Sequence, residues 1–268
     1  MSTWKKTWHF CRSNPIIFLP FLGVSLLFAG FCLLFYFLGT REEIVGLVQF
    51  LRTIGYAAGI AGMTELLWRH IREEDRKGWF VDGLGANAIP SVLLVLGIMC
   101  CAVIGFAVFY VLAYALGFSN TNVVEQFFSS NLSVYLVILL TMFIVPALIV
   151  SPLSMAFPSR IHRGKRSNSI VKSFAIAKKQ YWRQAALLLP LTVWAAFMPV
   201  LNSALTLFLT RQVEQGPVFW TYWGLSTGFD IVIMGVALPF IISWLTLCYA
   251  GHFQPEELKS PKKVKRSK

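Results

Sequence analysis

Six stretches of this chain are apolar and longer than the roughly 18 residues a helix needs to cross a bilayer. They fall at about 16–38, 44–67, 91–117, 134–156, 185–209 and 226–250. Inside hydrocarbon every backbone N–H and C=O must be satisfied within the protein, so each stretch is expected as a helix. Only 13% of the 268 residues are charged and 56% are hydrophobic, where a soluble domain carries roughly 25% charge. Lipid contact replaces the missing polar surface. The expected fold is all-α: a polytopic integral membrane protein of six transmembrane helices over 1–252, followed by a basic tail at 253–268. The runs leave no room within the chain for a soluble catalytic domain. The first run, about 23 residues after Lys5, Lys6 and Arg12, exceeds the ~7–15 apolar residues of a cleaved signal peptide. It reads as a retained anchor.

Cations are distributed unevenly between the connections. One side collects the N-terminal cations, Arg69, Arg72, Arg76 and Lys77, the run from Arg160 to Arg183, and the tail from Lys259. The other side has Arg41 and Arg211. The positive-inside rule then puts both termini in the cytoplasm. The short loops, and five cysteines without disulfide-type spacing, suit a bacterial cytoplasmic membrane. Trp4, Trp8, Trp68, Trp79 and Trp182 are expected at the cytoplasmic headgroup level, Trp220 and Trp223 at the outer one, and Trp194 and Trp244 in packing.

Three segments lead into spans one, three and five: "STWKKTWHFCRSNPIIFLP", "GWFVDGLGANAIPSVLLVL" and "SIVKSFAIAKKQYWRQAALLLP". Each joins a short amphipathic stretch to a long apolar one. In the third, Ile170, Phe174 and Ala177 share a helical face, with Tyr181 following. Lys172, Lys178, Lys179 and Arg183 are the expected contacts to anionic lipid headgroups. The pattern predicts interfacial helices on the cytoplasmic side and a possible three-fold repeat of helix plus hairpin. The stretch "IVPALIVSPLSMAFPSRIHRGKRSNSIVKSFAIAKKQYWRQAALLLPL" resembles a loose group of uncharacterised bacterial six-span proteins. That group includes the membrane region attached to some glycerophosphodiester phosphodiesterases. The resemblance covers about a fifth of the chain and implies a membrane module. The phosphodiesterase barrel is absent here, so no catalytic residue carries over.

Two charges sit inside the apolar runs. Arg52 is eight residues past Ile44, or about 12 Å into the membrane from the outer side at 1.5 Å per residue. Asp230, counted from the start of its run, is about 6 Å deep. A charge at mid-helix costs about 2.5–3.5 kcal/mol on insertion scales. Arg52 and Asp230 are therefore expected to pair and hold span two against span six. The pair is either a packing clasp or the polar lining of an outward-facing cavity for an anionic head or solute. A snorkelling Arg52 is the remaining alternative.

Gly55, Gly59 and Gly62 form a small-residue face that lets a second helix approach span two. Pro146 and Pro152 in span four, Pro158 at its exit, Pro190 and Pro199 in span five, and Pro239 in span six each free a carbonyl and bend a helix. Broken helices suit a cavity between spans four, five and six.

Catalytic signals are poor. The four histidines lack metal-binding spacing, and there is no Walker loop, nucleophile elbow or CxxC. His70 with Glu73 and Glu74 reads as a solvated helix end. No cofactor or metal is expected. The reading leans away from an enzyme and toward a protein that binds or passes lipids or small amphiphiles, or a subunit of a transport assembly. The alternative is a ligand-free scaffold that recruits a protein partner, or a second copy, through basic loops and tail. A lipid-headgroup enzyme is the third reading, and nucleic acid is disfavoured as a partner.

Overall fold

The computed structural model describes residues 3–115, 132–154, 156–163, 169–212 and 216–252, and every regular element among them is helical. Six helical segments are long and apolar enough to cross a membrane: Pro15–Leu38, Glu42–Arg72, Trp79–Leu112, Leu140–Ser159, Gln180–Leu209 and Pro217–Ala250. Exposed apolar side chains such as Leu27, Phe37, Leu93, Val103 and Val232 cover the outside of the bundle. This is a polytopic all-α membrane fold.

Helix α1 (Thr3–Ser13) buries Thr7, Phe10 and Cys11. A short 3-10 turn, Pro15–Phe18, leads into α2 (Leu19–Leu38). Gly39, at φ 72°, turns the chain into α3 (Glu42–Arg72). The positive φ favours glycine there, and the Arg211 guanidinium packs into the space that a side chain would occupy. Helix α3 ends on Glu73 in the left-handed region, and Gly78, at φ 71°, precedes α4 (Trp79–Ala115). Then come α5 (Leu132–Val150), a 3-10 turn at Ser151–Leu153, and α6 (Ala156–Arg163). The long α7 (Ser169–Leu209) follows, then α8 (Pro217–Phe229), a π-helical segment (Asp230–Ala237) and α9 (Leu238–Ala250).

Several sequence expectations are corrected here. The sixth span starts at Pro217, not near 226, because Gly216 is an extended N-cap and Pro217 occupies the first turn. Proline is pre-organised for that position and has no N–H to leave unsatisfied. Only α1 is a free-standing lead-in helix. The second lead-in runs straight into α4, and the third joins span five inside α7 through a bend at Gln180 (φ −137°, ψ 22°). Trp68 is packed inside the bundle and does not present its ring to the surface. It is 1% exposed and packs edge-on to Tyr249. The basic tail at 253–268 lies outside the described residues.

Helix packing uses small residues as lipid-embedded bundles require. Gly55 faces Val24, Gly59 faces Phe21, and Gly62 faces Trp79 and Phe80. The closest backbone approach is elsewhere. A Cβ at Gly83 of α4 would sit 2.6 Å from the Ala61 carbonyl oxygen of α3.

One proline has a compensating donor. Pro152 has no N–H for the Leu148 carbonyl, and the Tyr181 hydroxyl donates to it at 3.0 Å. Near Pro146 the Thr192 hydroxyl lies 3.0 Å from the Phe143 carbonyl and 2.9 Å from the Leu189 carbonyl. Its one proton serves either.

On the α1 side, Arg69 draws in Glu65 at 2.9 Å, Asp82, and the carbonyls of Asp75 and Lys77. Arg76 donates to Asn14 at 2.8 Å and meets His70 at 2.8 Å. His70 itself lies against Phe10, with ring centroids 5.1 Å apart. His70, Glu73 and Glu74 are all exposed, as expected of a solvated helix end, and His70 also helps hold the turn.

Candidate functional site

Arg52 is ten residues into α3, so about 15 Å from its start at 1.5 Å per residue. Asp230 is thirteen residues past Pro217, about 20 Å in. The earlier helix start makes Asp230 much deeper than the sequence suggests. The two meet: Arg52 Nη1 donates to Asp230 Oδ2 at 3.1 Å, with side chains 4% and 1% exposed. Isolated, either charge would be expensive at this depth.

Three donors satisfy the carboxylate. Besides Arg52, the Tyr56 hydroxyl donates to Oδ2 at 2.9 Å, and the Trp194 indole N–H donates to Oδ1 at 2.9 Å. Tyr56 has spent its only proton, so Ser25 is the donor in the 2.9 Å Ser25–Tyr56 contact. The Arg52 guanidinium carbon lies 3.9 Å from the Phe28 ring centroid, a cation–π contact. Spans one, two, five and six thus converge on one carboxylate. Asp230 opens the π-helical segment, whose wider turn comes just before Pro239. Proline has no N–H for an α-helical bond to the Gly235 carbonyl, and π turns in α-helices are frequent at functional sites.

Asp230 is saturated, but Arg52 is not. A guanidinium has five N–H donors, and among the described residues Asp230 is the one acceptor it reaches. Arg52 also lines a cavity of about 660 Å³ that separates α3 from α7. Glu42, Gly46, Gln49 and Thr53 form its α3 wall, and Asn202, Ser203 and Thr206 form its α7 wall. Exposed Phe50 and Leu207 stand at its lateral edge.

A second cavity of about 520 Å³ lies among α4, α5, α6, α7 and α9. Its wall is almost wholly apolar, with Ser154 and Thr192 the polar exceptions besides two cysteines. The cavities adjoin across α4, where Met99 faces the polar one and Cys100 and Cys101 the apolar one. The cavity expected from prolines in spans four to six differs in detail. Pro90 lines the apolar cavity and Pro199 the polar one, while Pro146, Pro152, Pro190 and Pro239 line neither. Lys178 and Arg183 are exposed on α7, and the side chains of Lys172 and Lys179 lie outside the described part. Among the described residues no group of three His, Cys, Asp or Glu is arranged to hold a metal ion.

The sequence held signals for the residues that were missed. Tyr56 follows Arg52 by four, so both share a helical face. Glu42, Gly46, Gln49 and Thr53 recur at helical spacing, a small and polar stripe in an apolar helix. Trp194 gave less away, since a tryptophan in an apolar run looks like packing until its N–H is asked for a partner. Comparison of the chain with protein-family models, with characterised proteins and with solved structures gave no match.

Proposed function

We propose that this membrane protein binds a lipid or small amphiphile by its polar head, in the cavity beside Arg52. The observation that carries the reading is a cavity of about 660 Å³ reaching a buried arginine with unspent donors. An intramembrane charge is a candidate functional site by default. The lateral edge at Phe50 and Leu207 suits a ligand whose tail stays in lipid, and the apolar cavity across α4 offers room for a chain. In the same reading the protein sits in a bacterial cytoplasmic membrane with both termini cytoplasmic and the polar cavity facing outward. Lys172, Lys178, Lys179 and Arg183 then meet anionic headgroups, each worth about 1 kcal/mol near such a surface. Binding of this kind fits a carrier or a subunit of a transport assembly.

Native mass spectrometry of the gently extracted protein tests this. Gly46 lines the cavity and nothing lies within 4 Å of its missing Cβ, so a side chain can start there, and Gly46→Phe puts a ring into the cavity. The expected result is a defined amphiphile on the wild type and its loss from a folded Gly46→Phe variant. Retention by that variant, or a stoichiometric protein partner with only bulk lipid, would replace this reading with the scaffold one.

A further inference from the structure

Resting on the proposed site, we infer that its ligand presents an uncharged, hydroxyl-rich group, such as a saccharide, rather than an anionic head. The hydrogen-bond inventory of the wall carries this. Three hydroxyls line the cavity, and each has spent its proton on its own helix. Thr53 donates to the Gln49 carbonyl at 3.1 Å, Ser203 to the Pro199 carbonyl at 2.8 Å, and Thr206 to the Asn202 carbonyl at 2.8 Å. What they offer the cavity is lone pairs. Gln49, Asn202 and Gln212 line it as well, with amide groups that both donate and accept. Arg52 supplies the opposite need, N–H groups without an acceptor.

Charge points the same way. Arg52 and Asp230 cancel, which leaves Glu42 as the one uncompensated charge on the described wall. A phosphate or carboxylate could accept from Arg52. It would also set its oxygens against the lone pairs of Thr53, Ser203 and Thr206, and face Glu42 besides. An ammonium group could donate to those oxygens but has nothing for Arg52 to donate to. A hydroxyl does both at once. Several hydroxyls on one rigid ring would meet donor and acceptor walls together. The exposed Phe50 ring at the edge adds an apolar face of the kind a sugar ring covers.

The test uses the full-length protein extracted in a polyoxyethylene detergent, because glycosidic detergents would themselves compete. It is reconstituted into phosphatidylcholine nanodiscs doped with either a monoglucosyl diacylglycerol or phosphatidic acid. Ligand retention is read by native mass spectrometry, and free glucose is titrated in a parallel arm. The expected result is retention of the glucolipid at least about tenfold over phosphatidic acid. That preference should vanish in Gly46→Phe and fall in Ser203→Ala, which removes one of the wall's acceptors. Competition by free glucose would make the source a soluble sugar, and its failure would make it a lipid headgroup; the hydroxyl chemistry holds in both cases. Equal or stronger retention of phosphatidic acid, still abolished by Gly46→Phe, would overturn the ligand class and leave the site standing. Indifference of both lipids to Gly46→Phe would overturn the site as well.

Discussion

Arg52 and Asp230, separated by 178 positions in the chain, lie 3.1 Å apart with almost no exposed surface on either. Removing one partner of a buried pair strands the other, at a cost of about 3–5 kcal/mol. Arg52→Leu and Asp230→Leu should each destabilise the fold by about that amount. The double variant should cost clearly less than the sum, since it strands no charge. A double-mutant cycle of unfolding in detergent micelles measures the coupling. Additive costs would mean that the pair does not hold span two to span six.

Tyr56 gives a sharper test, because phenylalanine keeps its shape. Tyr56→Phe removes the 2.9 Å donation to Asp230 and leaves Ser25 without its acceptor. A hydrogen bond to a charged group is worth about 1.5–3 kcal/mol, so the variant should lose about that much stability. Ser25→Ala in the Tyr56→Phe background should add little. A wild-type melting temperature for Tyr56→Phe would show that Asp230 is held without the hydroxyl.

The spans and the charge pair were legible because membrane physics is blunt. An apolar run of sufficient length has few alternatives, and two opposite charges in one half of a bilayer have few other partners. The depth of Asp230 was not legible. "GPVFWTYWG" looks like an interfacial loop, and only the capping geometry at Gly216 and Pro217 makes it helix. Gly83 was missed for a related reason. In "DGLGANAIP" two glycines before a proline resemble a loop, yet one of them marks a close backbone contact between α3 and α4. Which polar residues face the cavity depends on where α3 and α7 diverge, and sequence periodicity does not report that.

The Gly83 contact separates packing from propensity. An alanine there places its Cβ 2.6 Å from the Ala61 carbonyl, whereas one at Gly30, inside α2, meets nothing within 4 Å. Overpacking of this kind costs about 1–3 kcal/mol, and alanine is otherwise better than glycine in a helix by up to about 1 kcal/mol. Gly83→Ala should therefore lower the thermal midpoint and Gly30→Ala should hold or raise it. If both rise, α3 and α4 have slack at that crossing.

Tyr181 and Ser151 clasp the end of α5 to the bend in α7 from both sides. Tyr181 donates its hydroxyl to the Leu148 carbonyl at 3.0 Å, and Ser151 donates to the Tyr181 carbonyl at 3.1 Å. The first bond replaces one that Pro152 cannot make, so Tyr181→Phe leaves a carbonyl without a donor near the bilayer, at about 1–3 kcal/mol. Because both bonds restrain one junction, Ser151→Ala added to Tyr181→Phe should cost less than its effect alone. Hydrogen exchange gives the local readout. Amides over 148–154 and 180–185 should exchange faster in Tyr181→Phe, while those around Tyr56, in a different part of the bundle, keep wild-type protection. Uniformly faster exchange would mean that the hydroxyl supports global stability only, and unchanged exchange would mean that another donor serves the Leu148 carbonyl.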